Sequence, residues 1–510
     1  MFNFSDMFII SMGGSLLMGK QLLKLSNKVS EFLKGKKKLY INGKFVESVS
    51  SKTFDTFNPA TEEILASVYE AEEYDIDMAV KAAREAFADG PWAKMNAAER
   101  ARLIYKLADL IEEHIEELAQ LDTLDNGKPI NETRTVDLPG TIEQFRYFAG
   151  WATKNMGQTI PVSGPFLNYT RHEPVGVVGQ IIPWNFPINM ISWKIAPALA
   201  AGCTVVLKPA EQTPLSALFF AELVEQAGFP PGVVNIVPGF GSKAGNALVE
   251  HPGVDKISFT GSTAVGKQIM KKAADTMKRL TLELGGKSPN IILPDADLSK
   301  AILGVFNGIM YNQGEVCSAG SRVYVHKDQF KELVNGMVSL AKNLKVGNGL
   351  DEETEMGPLV SKSQQDRVFE YIRIGTEEGA KLVAGGKKSN HGFFIEPTIF
   401  VDVEEHMTIA RDEIFGPVVV VMSYDTIEEV IERSNNSPYG LGAGIWTENI
   451  KIAHQVANQL KSGSVWINCY DAIDPASPFG GYKQSGFGRD LSAYALQSYT
   501  EVKSVWVNLE

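Results

Sequence analysis

From about Lys37 onward, apolar and polar residues alternate between two periods almost to the end of the chain. Leu103, Leu107, Leu110, Ile111, Ile115, Leu118 and Leu121 recur at three- and four-residue spacings, which predicts one long amphipathic helix. Residues 175–182 form a short apolar run closed by Pro174 and Pro183, the pattern of a buried strand. Residues 188–201 are long, Ala-rich and helical in type. Then follow a strand at 204–207, a helix at 216–226, a strand at 233–237, a helix near 244–250 and a strand at 256–259. This βα alternation implies a mainly parallel sheet covered on both faces. Ligands of such sheets bind beyond the carboxyl ends of the strands, so the residues that follow each strand should carry the chemistry.

A second α/β segment runs from about Gly286 to Gly480, with strands at 418–422 and 465–468. No internal repeat and no low-complexity linker separates the two, so the domains interleave through short loops. At the tail, Tyr499, Val502, Val505 and Val507 give residues 494–507 a period of two, typical of a strand that needs a partner in another segment or another subunit. Near the start, residues 7–18 are apolar but hold Ser11, Gly13, Gly14 and Ser15, and fall short of the roughly 20 residues a spanning helix needs. No positive charge precedes that run, which argues against a secretory signal. Residues 1–36 therefore read as an extension ahead of the regular structure.

Composition narrows the class. The 510 residues are too many for one ordinary core and suggest several domains. Lys+Arg 49 against Asp+Glu 61 leaves a net charge of −12, which disfavours a nucleic-acid partner. Three widely spaced cysteines (Cys203, Cys317, Cys469) make no disulfide framework, and neither C-x-x-C nor H-E-x-x-H appears, so no metal site is expected. The chain reads as a cytoplasmic protein of enzyme size.

Two glycine motifs come close to known fingerprints and miss. The segment from Gly261 to Gln268 nearly matches a P-loop, but Gln268 stands where a magnesium-binding hydroxyl is needed. The segment from Gly239 to Gly245 is one residue too long for the dinucleotide pattern. The physical content survives: Gly261 ends a strand and Ser262 opens a helix, whose free N–H groups could hold a diphosphate. Lys208 and Glu211 follow the preceding strand, and a carboxylate there suits ribose hydroxyls and repels a 2′-phosphate.

Reactive groups stand nearby in sequence. Cys317 lies among Gly314, Ser318, Ala319 and Gly320 between a helix and a strand, where a substrate could approach. Local sequence leaves both a reactive thiol and a buried structural one open. A reactive one would need a base or an electropositive setting, because an ordinary thiol is mostly protonated at neutral pH. Cys203 and Cys469 read as structural. Glu283 sits between Leu282 and Leu284, and burial there would raise its carboxyl toward the range of a general base. Asn185, after the strand at 175–182, is a neutral donor suited to an oxyanion.

Seven motifs now stand in order: PWNFP (183–187), KPAE (208–211), FTGS (259–262), LELGGKSPNI (282–291), GEVCSAGSR (314–322), EIFGPV (413–418) and PFGGYKQSG (478–486). Together, from about Leu39 to the end, the chain resembles the NAD(P)-dependent aldehyde dehydrogenase superfamily, nearest its broad-specificity tetrameric members acting on acetaldehyde, larger aliphatic aldehydes and retinal. The resemblance implies an α/β fold: a Rossmann-type five-stranded cofactor domain (37–155 and 174–285), an α/β catalytic domain (286–486) and a small oligomerisation β-flap (156–173 and 487–510). It implies Cys317 as nucleophile, Asn185 as oxyanion donor and Glu283 as the base that activates water against the thioester. Ile182, Pro183, Trp184, Lys208, Glu211, Gly241, Gly261, Ser262, Val265, Gln364, Glu413 and Phe415 would bind the cofactor, with NAD preferred and NADP as the alternative. A homotetramer, built as a dimer of dimers, is implied, with no membrane partner.

The same resemblance places Phe186, Met190, Trp193, Val316, Ser318, Ile473 and Phe479 around the substrate. Most are apolar, which suits uncharged aldehydes, bulky ones including retinal among them. Ile473 is smaller than the aromatic of acetaldehyde-preferring members and implies a wider mouth, while Asp474 beside it should disfavour anionic substrates. No tryptophan precedes Gly480, which counts against the betaine-aldehyde alternative. Glu283 counts against a CoA-acylating member, and the presence of Cys317, Glu283 and Asn185 against a non-catalytic structural relative. Asp490 stands where close relatives carry a glutamate that relays protons to the base; it is one methylene shorter.

Overall fold

Strand pairing organises residues 23–510, the part described by the computed structural model, into three main sheets and a separate hairpin, Thr53–Phe57 with Ile64–Tyr69. The largest sheet has five parallel strands at its centre: Val177–Ile181, Thr204–Lys208, Val234–Ile236, Lys256–Thr260 and Arg279–Glu283. In space the fifth lies beside the fourth, the fourth beside the first, and the second and third continue on the other side. The strand order thus reverses between Val177–Ile181 and Lys256–Thr260, and a crevice opens at such a reversal. Antiparallel strands extend both edges, so the five expected strands sit inside a sheet of eight.

Both faces are covered, as the near-continuous apolar strands require. Pro187–Ala201, Leu215–Ala227, Ala97–Glu113 and Leu138–Trp151 bury one face; Glu73–Ala88, Asn246–Glu250 and Thr263–Ala273 bury the other. The second sheet runs Lys381–Ala384, Thr398–Val401, Val418–Tyr424, Arg322–His326, Pro289–Ile292, Gly442–Trp446 and Ser464–Ile467, all parallel except the first. The tail strand Thr500–Asn508 finds its partner in Phe166–Pro174, antiparallel from Thr500 opposite Pro174 to Asn508 opposite Phe166. Thr159–Ile160 completes that third sheet, and Arg279 holds Glu501 of the tail strand by a salt bridge.

Several expectations need correction. The long helix is two, Ala97–Glu113 and Ile115–Asn126, separated at His114, whose φ of −112° and ψ of 25° interrupt the helical path. The break redirects the second helix so that every residue from Leu118 to Asn126 is buried. Regular structure also begins before Lys37: Ser26 caps the helix Asn27–Phe32, Val29 is fully buried, and Phe32 packs edge-on against Phe219. The period-two tail forms a strand only from Thr500, because Ser492–Gln497 is helical. The helix near 244–250 opens with a wide turn, Gly241–Gly245. Cys203 is buried as expected, whereas Cys469 is exposed. The apolar run at 7–18 lies outside the described residues.

Candidate active site

Two loops and a strand end meet beyond the switch point. The strand Val177–Ile181 runs into Pro183-Trp184-Asn185-Phe186, and Pro187 at the first helical position ends the loop by starting a helix. Asn185 is buried, and its Nδ2 donates to the Glu315 carbonyl at 2.8 Å. The amide of Asn312 returns the tie, donating to the Asn185 carbonyl at 2.8 Å. Asn312 and Gln313 adopt left-handed conformations (φ 45° and 56°), a tight reversal that delivers Cys317 in the following turn. Glu315 is held from below: its Oε1 accepts from the Val360 N–H at 3.2 Å, and burial pushes its carboxyl well above the usual range.

The partly exposed Cys317 does not sit in the electropositive surroundings that a reactive thiol was expected to need. Burial pushes the thiol up, and the charges of Asp471, Glu413 and Glu283 push it further, against one favourable contact from the Ser318 N–H. Three carboxyl groups therefore face the sulfur and favour its protonated form.

Glu283 ends the strand Arg279–Glu283. It is buried, and neither carboxyl oxygen has a hydrogen-bond partner. Desolvation raises its carboxyl well above 4.5; the Asp490 charge adds to this, and Lys194 and Arg489 oppose it. The space for it depends on Gly480: a Cβ there would lie 2.6 Å from Glu283 Oε1, and φ of +155° suits only glycine. Behind Glu283, Lys194 Nζ and Asp490 Oδ2 form a fully buried pair at 2.6 Å. The Asp490 backbone pairs in both directions with Phe479, N to O at 2.8 and 2.9 Å, which ties the Gly480 loop to the pair. Lys256 belongs to the same cluster; burial, with Lys194 adding, pushes its amine down to about 7.

The cofactor candidates line the strand ends. Lys208 is buried and spends two protons on the carbonyls of Pro209 and Gly239, both at 2.7 Å, while Glu211 Oε2 lies 3.3 Å away. Desolvation lowers its amine and Glu211 raises it, with a net downward shift. Space beside Gly241 is open, since a Cβ there would meet nothing within 4 Å. Ser262 caps the helix Thr263–Ala273, accepting from the Val265 N–H at 3.3 Å, and Val265 is exposed. The Gly261 N–H donates to the Glu283 carbonyl at 3.1 Å, which ties the ends of these two neighbouring strands together. The Ile182 N–H donates to the Lys208 carbonyl at 3.2 Å. Across the crevice Glu413 accepts from the Gly286 N–H at 2.9 Å, and burial pushes its carboxyl up to about 7. Gln364 Nε2 holds the Phe415 carbonyl at 2.6 Å, and the Phe415 ring meets Trp184 edge-on, centroids 5.2 Å apart.

The proposed substrate residues divide. Phe186, Met190 and Trp193 share one side of the helix Pro187–Ala201 and its cap; Trp193 meets Phe479 edge-on at 5.2 Å, and Phe186 lies against Tyr311 with Lys128 Nζ 4.0 Å above its ring. Val316 instead lines a small cavity with Gly286, Glu413 and Phe415, on the cofactor side. Ser318 is buried and donates to Asp471 Oδ1 at 2.6 Å. Ile473 is 46% exposed, farther out in the loop, where Asp474 accepts from the Ala476 N–H at 2.8 Å. Sequence reasoning missed Lys194, Glu315 and Asp471. The signals were there: one lysine inside an apolar helix, and acidic residues set beside Cys317 and Tyr470. Among the described residues no group of three or more His, Cys, Asp or Glu could hold a metal ion, and no helix is long and apolar enough to cross a membrane.

With this geometry in place, comparison of the chain with known proteins finds the aldehyde dehydrogenase family over residues 45–505. The chain belongs to the aldehyde dehydrogenase family. It is 53% identical over 474 residues to the mitochondrial aldehyde dehydrogenase of Rattus norvegicus, covering 92% of this chain and 91% of that protein. Retinal dehydrogenase 2 of Homo sapiens is 52% identical over 475 residues, 92% of each chain. Among solved structures, the NAD+ complex of an aldehyde dehydrogenase from Bacillus cereus superposes with a TM-score of 0.95 at 62% identity, covering 96% of this chain and all of that one. Aldehyde dehydrogenase activity dependent on NAD(P) follows from that membership.

Proposed function

We propose that the protein oxidises uncharged, largely apolar aldehydes, bulky ones included, to carboxylic acids with NAD+, through a covalent thioester on Cys317. One observation carries the reading: a partly exposed thiol faces a buried glutamate whose two oxygens have no partner, at the switch point of a parallel sheet. Similarity both to a mitochondrial aldehyde dehydrogenase and to a retinal dehydrogenase supports a broad pocket.

The side chains divide the work. Cys317, once its proton is lost, attacks the carbonyl carbon as a thiolate and forms a C–S bond; the C–H bond of that carbon then breaks with its electron pair leaving as hydride, which gives the thioester. Asn185 spends one amide proton on the Glu315 carbonyl, which fixes its direction, and keeps the second for the oxyanion. Glu283 takes a proton from water as that water adds to the thioester; the C–S bond breaks, the thiolate returns and the acid leaves. Phe186, Met190, Trp193 and Phe479 supply the apolar wall.

The strand ends fit a nicotinamide dinucleotide. Lys208 and Glu211 would take the adenosine ribose, Gly241 and Val265 would flank the adenine, the Ser262 turn would take the diphosphate, and Glu413 with Phe415 the nicotinamide side. NAD+ held there would accept the two electrons of the aldehyde. The Glu211 carboxylate repels a 2′-phosphate, which places NADP second. We assign the cofactor domain to 37–155 and 174–285, the catalytic domain to 286–486, and an oligomerising flap to 156–173 and 487–510. Exposed Phe166, Leu167, Val502 and Trp506 on the flap sheet favour a homotetramer. Three free cysteines suit the reducing cytoplasm.

The test is NADH formation at 340 nm across acetaldehyde, hexanal, benzaldehyde, betaine aldehyde and retinal, beside Cys317→Ala. Rates that rise with apolar bulk and vanish in the variant are expected. Full activity in Cys317→Ala would overturn the thiol's role, and a best rate with betaine aldehyde the substrate class.

A further inference from the structure

We propose that Tyr470 and Asp471 are positioning residues for Cys317: they clamp Ser318, its neighbour in the chain, by carbonyl and hydroxyl, and so fix the direction of the thiol and hold a carboxylate beside it. The proposal rests on the reading of Cys317 as nucleophile. Tyr470 Oη donates to the Ser318 carbonyl at 2.7 Å, and Ser318 Oγ donates to Asp471 Oδ1 at 2.6 Å. Two consecutive residues of one loop thus hold the carbonyl and the hydroxyl of one residue of another, more than 150 positions away in the chain.

The clamp is rigid on its own side. The strand Ser464–Ile467 ends at Asn468, whose φ of 55° turns the chain and whose amide bonds the Thr447 backbone on both sides, at 2.8 and 3.0 Å. The Tyr470 ring then enters a slot between Gly308, Gly320 and Gly444, where added Cβ atoms would meet it at 2.9, 3.2 and 2.7 Å. Its other face packs on Trp466, centroids 5.0 Å apart. Asp471 is held at φ 56°, a conformation that costs a non-glycine residue energy and persists only where the surroundings over-determine it. A strained aspartate whose hydrogen bond ends beside the nucleophile is a device for orienting it.

The electrostatics agree. The acidic groups facing the sulfur are Asp471, Glu413 and Glu283, with the Ser318 N–H opposing them, and after burial Asp471 has the largest effect. Asp471 itself is pushed up to about 6 by burial, with the Ser318 hydroxyl pulling it back; Tyr311 and Tyr470 are the phenols its charge reaches. Above that value its carboxylate opposes formation of the thiolate.

The test uses the full chain and reads two properties. Alkylation of Cys317 by iodoacetamide, followed across a pH series by peptide mass, reports the thiol directly; kcat and KM with hexanal report its placement. Asp471→Asn should lower the alkylation midpoint by about one pH unit. Tyr470→Phe should leave that midpoint alone and lower kcat about tenfold with little change in KM. Ser318→Ala should lower kcat and Ser318→Thr restore it, a readout that stands even if Asp471→Asn fails to fold. An unmoved midpoint in folded Asp471→Asn, or wild-type kcat in both Tyr470→Phe and Ser318→Ala, would overturn the clamp. Full activity of Cys317→Ala would instead overturn the nucleophile, which the alkylation midpoints do not depend on.

Discussion

Removing the charge of Asp490 tests the core of the site. The Lys194–Asp490 pair is 2.6 Å long and shielded from solvent, and Asp490 is, after desolvation, the main cause that raises the Glu283 carboxyl. Asp490→Asn keeps the volume and an acceptor for Lys194 but leaves its cation without a counter-charge. Breaking a buried pair in this way costs about 3–5 kcal/mol, and the retained acceptor places this variant near the lower end. The effect on Glu283 has a definite sign. The repulsion from Asp490 disappears while Lys194 continues to attract, and this change favours the carboxylate. The acid limb of the kcat profile, where on the proposed mechanism Glu283 must be ionised to take a proton from water, should move to lower pH. Lys194→Met reverses the balance, leaving the Asp490 charge unopposed, and should move the limb to higher pH. Steady-state kcat with hexanal across a pH series, with thermal melts of both variants, measures this directly. Limbs that move in the same direction, or an Asp490→Asn protein as stable as the parent, would refute the coupling.

Two further outcomes follow from the same corner. Glu283→Gln should form close to one NADH per site and then stall at the thioester, which rapid mixing would show as a burst without turnover. It should also stabilise the protein at neutral pH: the folded carboxyl titrates well above its unfolded value of about 4.3, so stability falls as pH rises above that value, and the variant's melting profile should lack the slope. Gly480→Ala would place a methyl 2.6 Å from Glu283 Oε1 at a backbone angle alanine avoids. A loss of at least about 2 kcal/mol in denaturant melts, together with collapse of kcat, is expected; a fully active, fully stable variant would contradict the packing.

The periodicity of the chain exposes the parallel core because those strands are buried on both faces and bounded by prolines and glycines, as with Pro174, Pro183 and Gly202 around the first two. It does not expose the break at His114, since the residues on either side keep the helical spacing and only the change in packing direction separates the two helices. Cys317, Glu283 and Asn185, the proposed thiol, base and amide, stood out because each lies in a short motif at or just after the end of a strand or turn. Their supports were not. Lys194 is the only charged residue of its helix and meets Asp490 only after nearly 300 intervening residues fold, and the Ser318 clamp joins two segments more than 150 residues apart. Long-range pairing of buried charges leaves no period in the sequence.

The surroundings of Cys317 show why such pairing matters. A site that surrounded the thiol with cations would hold it as a thiolate, exposed to oxidants between turnovers. Here burial, Asp471, Glu413 and Glu283 push the thiol up and favour its protonated form. Burial pushes the Glu413 carboxyl up to about 7 and that of Asp471 up to about 6, so the charge around the sulfur shifts within the neutral range. Glu413 lies on the face where the nicotinamide would dock, its carboxylate already tied to the Gly286 N–H. A cationic ring arriving there would offset the carboxylate's repulsion of the sulfur and favour the thiolate only with cofactor in place. The alkylation midpoint of Cys317 should therefore fall when NAD+ is added, and an unchanged midpoint at saturating NAD+ would exclude this form of control.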